Sequence, residues 1–314
     1  GEKSIGDFFR SGAGAVYKTL LTPEQYQDLC DFEGNANGLK ILSQARAGIP
    51  GGLRLSYATL GAFTKYPKGS LPIKPSPHVA DKKYGYFDIQ KKFFGEVAQE
   101  LGLQKEDGTY HRHPLAFLVE AADDICYTLI DFEDGINLGL ISEEYALEYL
   151  INLVKDSINR KKYNALEHTS DRVAYLRALS INTLINDAVA IFLENEAAIL
   201  DGKFSTSIMK ISKYKAQMED IIDISVHKVY QSSEVIEKEL KGYQVINRLL
   251  DVFATASVHN QQKKLSAFDR LALACFPSQY LHPEGDLYIQ LLDISCFVAS
   301  LTDGKALEWY QKMR

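Results

Sequence analysis

The chain has 314 residues, 46% of them apolar, enough to bury a large core in one big domain or two. With 35 basic against 41 acidic side chains it is mildly acidic, which removes any global electrostatic reason to expect a nucleic-acid binder. Four cysteines without C-x-x-C spacing read as reduced core thiols, and neither a signal pattern nor an apolar run of bilayer length is read, so the expectation is a soluble, cytoplasmic chain with no membrane partner.

Helical periodicity dominates and strand-like alternation is scarce. The opening Gly1-Glu2-Lys3, without methionine, reads as cut from something longer, and a first helix is predicted from Lys3 to Ser11. Thr22 as N-cap and Pro23 at the first helical position start a second, ending near Phe32. After a turn-prone EGNAN, a helix from Gly38 to Ala47 is stopped by an AGIPGG loop, and Ser56 to Thr64 is again helical. The segment KYPKGSLPIKPSPHVADKK, with four prolines, is irregular yet too rich in aromatics and lysines for a linker. An amphipathic helix from Ile89 to Leu101 and an EDGTYHRHP loop lead to an acidic helix from His113 to Asp134. Further helices are predicted over Ser142–Ser157, Asp171–Leu200, Met218–Tyr230, Ser233–Phe253, Lys264–Cys275, Leu287–Leu301 and Asp303–Met313. The fold class is therefore all-α, as one domain with a core over residues 1–160 and a helical extension over 161–314.

On a helical wheel, Glu120, Asp123, Asp124, Tyr127, Asp131 and Asp134 share one arc, and Leu118, Ala122, Ile125, Leu129 and Phe132 the other. A solvated acidic face is the ordinary reading of such a run. Phe117, Val119, Cys126 and Ile130 hem the acidic arc, however, and that favours a buried site needing a metal ion or a basic partner. Further ligands are not evident, since the seven histidines form no H-x-x-x-H or H-E-x-x-H, and His111 and His113 read as capping or surface residues. Lys65, Lys68, Lys74, Lys82 and Lys83 form a basic cluster around Tyr66. It reads either as a solvated loop or as a holder of an anionic ligand's phosphates. Gly-rich phosphate loops and Ser or Cys nucleophile motifs are absent.

Blocks spread along the chain carry a family resemblance: FEGNAN at Phe32–Asn37, GGLRLSYATLGAFTKYP at Gly51–Pro67, KKYGYFDIQKKFF at Lys82–Phe94, HPLAFLVEAADDICYTLIDFEDG at His113–Gly135 and LTDGKAL at Leu301–Leu307. In this order they resemble the HD-domain deoxynucleoside triphosphate triphosphohydrolases of the bacterial dGTPase type. The resemblance implies hydrolysis of a deoxynucleoside triphosphate to deoxynucleoside and tripolyphosphate, with a divalent cation such as Mg or Mn held by an H…HD…D set. It assigns the last aspartate to Asp123, and places the other ligands and a catalytic histidine upstream of Gly1, so that this chain alone is expected to be inactive. It implies that Glu2 handles a proton with that histidine, that Tyr127 packs on the sugar and Asp131 bonds its 3′-hydroxyl, and that Asn35 and Lys65 bind phosphates. The family more often has Gln at Asn37 and Arg at Lys40. Family habit also implies a homo-oligomer such as a hexamer, with nucleic acid only as a regulator. The alternatives are another HD-type nucleotide phosphohydrolase and a non-catalytic helical interaction module.

Overall fold

The computed structural model describes residues 1–44, 52–280 and 285–314. Among them fifteen α-helices follow in chain order: α1 (Glu2–Arg10), α2 (Pro23–Cys30), α3 (Gly34–Ser43), α4 (Tyr57–Phe63), α5 (Lys91–Glu100), α6 (Ala116–Asn137), α7 (Glu143–Val154), α8 (Arg160–Asn164), α9 (Thr169–Glu194), α10 (Glu196–Leu200), α11 (Lys215–Ser225), α12 (Ser233–Gln261), α13 (Ala267–Cys275), α14 (Leu287–Ser300) and α15 (Asp303–Met313). Pairing of β type among the described residues is confined to one bridge between Gln104 and Tyr110. The all-α expectation holds. The predicted helix end at Ala47, most of the AGIPGG loop and His282 lie outside the described residues.

The helices form two compact units, a terminal unit of residues 1–112 with 238–314 and a middle unit of residues 113–237. This grouping runs along different lines from the sequence division near residue 160, since it places both chain ends together.

In the terminal unit, Ile5, Phe8 and Phe9 of α1 fall at i, i+3 and i+4 and are buried against Leu29, Leu249, Phe253, Leu291 and Phe297. Phe253 anchors an aromatic cluster, with ring centroids 4.9 Å from Phe276 and 5.7 Å from both Phe297 and Trp309. Thr22 caps α2 in a reciprocal capping box with Gln25, and Pro23 opens the helix, as predicted. The proline-containing segment is anchored at its ends: Tyr66, Ser70, Val79 and Ala80 are buried, as are Tyr84, Tyr86 and Phe87 just after it.

Helix α3 starts at Gly34, four residues before the predicted start. Its first N–H groups find side-chain acceptors, Gly34 on Glu2 Oε1 at 2.7 Å and Asn35 on Glu33 Oε1 at 3.3 Å. Helix α12 also exceeds its prediction, reaching Gln261 because Ala254, Ala256 and Ser257 are still buried.

In the middle unit the predicted helix Asp171–Leu200 is broken at Asn195, whose Nδ2 donates to Ile191 O at 2.7 Å and separates α9 from α10. The helix predicted from Met218 begins earlier, at Lys215, and its last turn, Val226–Tyr230, is a π-helix. Against the expectation drawn from apolar run length, α9 is long and apolar enough to cross a membrane by length and composition. Two of its charged residues have partners within the unit: Arg177 pairs with Glu133 of α6, and Asp187 accepts from the Ser212 hydroxyl at 2.5 Å.

Candidate functional site

The acidic helix of the sequence is α6, in the middle unit. It buries Phe117, Ala121, Ile125, Thr128, Leu129 and Phe132, while Val119, Cys126, Tyr127 and Ile130 are exposed, Tyr127 at 64%. This corrects the sequence picture in two ways. The buried stripe is rotated from the expected one, taking in Phe117, Ala121 and Glu120 and leaving Ala122 exposed. The arc bearing Asp123 is also open rather than enclosed, because the apolar residues flanking it stay at the surface instead of packing over it.

Asp123, Tyr127 and Asp131 fall at i, i+4 and i+8 and form a ledge along this open face, with Asp123 and Asp131 half-buried. Asp131 Oδ2 accepts a hydrogen bond from the Tyr230 hydroxyl, which comes from the π-helical turn after α11. The Tyr230 phenol is pushed up to about 12 by burial first, then by the bond to Asp131 and by the charge of Asp131, so at neutral pH it stays a donor. Sequence reading missed Tyr230. It lies 99 residues from its partner, and no spacing rule reaches that far.

Beside the ledge, Glu133 pairs with Arg177 and so belongs to packing. His113 Nδ1 accepts from the Leu115 N–H at 3.2 Å, the capping role expected for it. Burial lowers the His113 pKa, so it is neutral at pH 7.

Glu2, Asn35 and Lys65 belong to the terminal unit. The Glu2 carboxylate seals the N-terminus of α3, and Gly34 permits the approach, since a Cβ there would lie 2.6 Å from Glu2 Oε1. Glu33, nearly buried, gathers three donors on Oε1: the Asn35 N–H at 3.3 Å, Asn35 Nδ2 at 2.7 Å and Lys83 Nζ at 3.1 Å. Asn35 is thus held by Glu33, and of the lysine cluster Lys83 joins the same carboxylate. Lys68 Nζ donates to Gly69 O at 2.7 Å, and burial lowers its pKa. Lys65 is half-buried directly after α4, next to Tyr66, whose ring carries the Arg112 guanidinium 5.6 Å from its centroid.

Among the described residues no group of three or more His, Cys, Asp or Glu side chains is arranged to hold a metal ion. Asp123 with its neighbour Asp124 does not by itself fit such a centre, which needs further ligands. The four cysteines are free thiols. Cys30 and Cys296 are buried, but Cys126 and Cys275 are exposed, which corrects the expectation of four core residues.

No family model matches the chain. It is 33% identical over 315 residues to a deoxyguanosinetriphosphate triphosphohydrolase-like protein of Synechocystis sp., covering 97% of this chain and 68% of the relative. A protein of the same description in Listeria monocytogenes is 29% identical over 100% of this chain and 73% of its own length. The deoxyguanosinetriphosphate triphosphohydrolase of Cronobacter sakazakii is 26% identical over 91% of this chain and 64% of its own length.

Proposed function

This chain belongs to the deoxyguanosinetriphosphate triphosphohydrolase family, and from that premise we propose that it acts in hydrolysing a deoxynucleoside triphosphate to the deoxynucleoside and tripolyphosphate. The observation that carries the reading is the ledge of Asp123, Tyr127 and Asp131 on the open face of α6, where an exposed aromatic ring stands between two carboxylates. An apolar ring face beside an acceptor suits a deoxyribose, which offers a C2′ methylene and a 3′-hydroxyl donor. In this reading Tyr127 packs on the sugar and Asp131 accepts from the 3′-hydroxyl. Tyr230 fixes the Asp131 rotamer through Oδ2, so the carboxylate need not be ordered when substrate arrives.

Asn35 and Lys65 are proposed to contact phosphate oxygens, and Glu2 to handle a proton at the phosphate. A divalent cation such as Mg or Mn would take Asp123 as one carboxylate ligand and would neutralise charge on the phosphates. The described residues by themselves assemble no full ligand set for it. The same reading includes a homo-oligomer, a hexamer in the family's habit, and a cytoplasmic location.

The test is product analysis by 31P NMR after incubating dGTP, the other deoxynucleoside triphosphates and nucleoside monophosphates with the full-length gene product in Mg or Mn. Tripolyphosphate as the initial phosphorus product, lost in Asp123→Asn, is the expected result. Orthophosphate released from a nucleoside monophosphate would move the chain to another class of HD phosphohydrolase. No turnover of any nucleotide would leave the interaction-module reading.

A further inference from the structure

A second concave site lies in the middle unit, between α7 and α11. It has a volume of about 300 Å³ and is lined by Tyr145, Glu148, Tyr149 and Asn152 from α7 and by Gln217 and Asp220 from α11. The four α7 residues fall at i, i+3, i+4 and i+7, one face of a helix whose start is fixed by its Ser142 cap. None of the proposed substrate contacts lines it.

Its chemistry is one-sided. The lining brings two carboxylates, two phenol rings and two carboxamides, and no cationic side chain. Lys215, on the same helix as Gln217, is 3.6 Å from Glu219 instead. The Tyr149 ring is held edge-on by Phe132 of the unit's core, with centroids 6.1 Å apart. Gln217 Oε1 is shielded from solvent and accepts no hydrogen bond from any described residue. A shielded amide oxygen without a donor is costly, so a ligand that brings an N–H to Gln217 Oε1 relieves that cost, and the two carboxylates favour one that is positively charged.

We propose that this cavity binds a small organic ammonium or guanidinium cation. Such a ligand supplies N–H donors to Gln217 Oε1 and to the Glu148 and Asp220 carboxylates, and its cationic head lies against the Tyr145 and Tyr149 rings. A bare divalent ion fits less well. It would find only two carboxylates here, and the aromatic walls offer it little.

The test is titration of the full chain, labelled with 15N-glutamine, with 1,4-diaminobutane, following the Gln217 signals assigned through Gln217→Asn. A saturable shift is expected. Glu148→Gln and Asp220→Asn should each weaken it about three- to fivefold, the range for exposed charge pairs. Tyr145→Leu should weaken it with both charges kept. Glu143→Gln, on the same helix but outside the cavity, should leave it unchanged. A linear, non-saturating response, an equal response to MgCl2 at matched ionic strength, or equal weakening by Glu143→Gln would overturn the proposal. Melting temperatures of the variants check folding, and the Tyr145 variant keeps the test open if a charge variant melts early.

Discussion

Asp131 gains its meaning from a partner that is distant in sequence. If Tyr230 presets the carboxylate for a sugar 3′-hydroxyl, Asp131→Ala should lower kcat/KM for dGTP by about 10- to 100-fold, the value of a hydrogen bond to a charged group. The variant should also lose the preference for dGTP over its 3′-deoxy analogue. Tyr230→Phe should cost less and keep part of that preference. Steady-state kinetics of the full-length gene product with both nucleotides would check this, and a preference unchanged in Asp131→Ala would defeat the assignment.

A second residue-scale consequence concerns Asp28, a fully buried carboxyl of α2. Its Oδ2 accepts from the Asp88 N–H at 2.7 Å and from the Tyr288 hydroxyl at 2.5 Å. Burial outweighs these bonds and raises its pKa to about 6 from 3.8. A raised carboxyl pKa means that the folded state favours the protonated form. Its contribution to stability is therefore complete below about pH 4 and is lost as pH rises through about 6. Relative to Asp28→Asn, the native chain should lose up to roughly 3 kcal/mol between pH 4 and pH 7. Urea unfolding of both proteins at several pH values measures it. Neither Asp28 nor Tyr230 was legible in the sequence, because burial and long-range partners set their behaviour. Thr22 and Pro23 were legible, because a capping box is completed within four residues.

At the scale of elements, α3 and α14 are joined by a buried ion pair, Lys40 Nζ to Asp293 Oδ1 at 2.8 Å, with side chains 9% and 3% exposed. Lys40 is a position where the sequence departs from the resembled family. Lys40→Met removes the ammonium from beside a buried carboxylate and should cost about 3–5 kcal/mol, whereas Lys40→Met with Asp293→Leu should recover most of it. Denaturant midpoints of the single and double variants decide the point. Most helices could be placed from periodicity, since α1, α4, α5, α7, α14 and α15 each carry a local pattern or cap. Boundaries that depend on non-local partners could not. Glu2 moves the start of α3, the Asn195 side chain cuts α9 from α10, and short α8 leaves little periodic signal. The same limit explains α6: its carboxylates were recognised, but whether its far face is covered is a tertiary property that a helical wheel does not carry.

For the whole molecule, the distribution of thiols offers a direct check. Cys126 and Cys275 are exposed, whereas Cys30 and Cys296 are buried, with burial pushing the Cys296 thiol up to about 12. A colorimetric thiol titration should count two fast groups in the native protein and four after denaturation. Four fast groups without denaturant would contradict the core that places Cys30 beside Phe32 and Cys296 beside Phe297.

That core also sets a timetable for synthesis. Ile5, Phe8, Phe9 and Leu29 share it with Phe253, Leu291 and Phe297, and residues 113–237 are made in between. At elongation rates of roughly 5–20 residues per second, the first segment leaves the ribosome about ten to fifty seconds before the helices that cover it. During that interval its phenylalanines are uncovered. The nascent chain should therefore recruit a holdase at α1 and α2, and release it only after α14 has emerged.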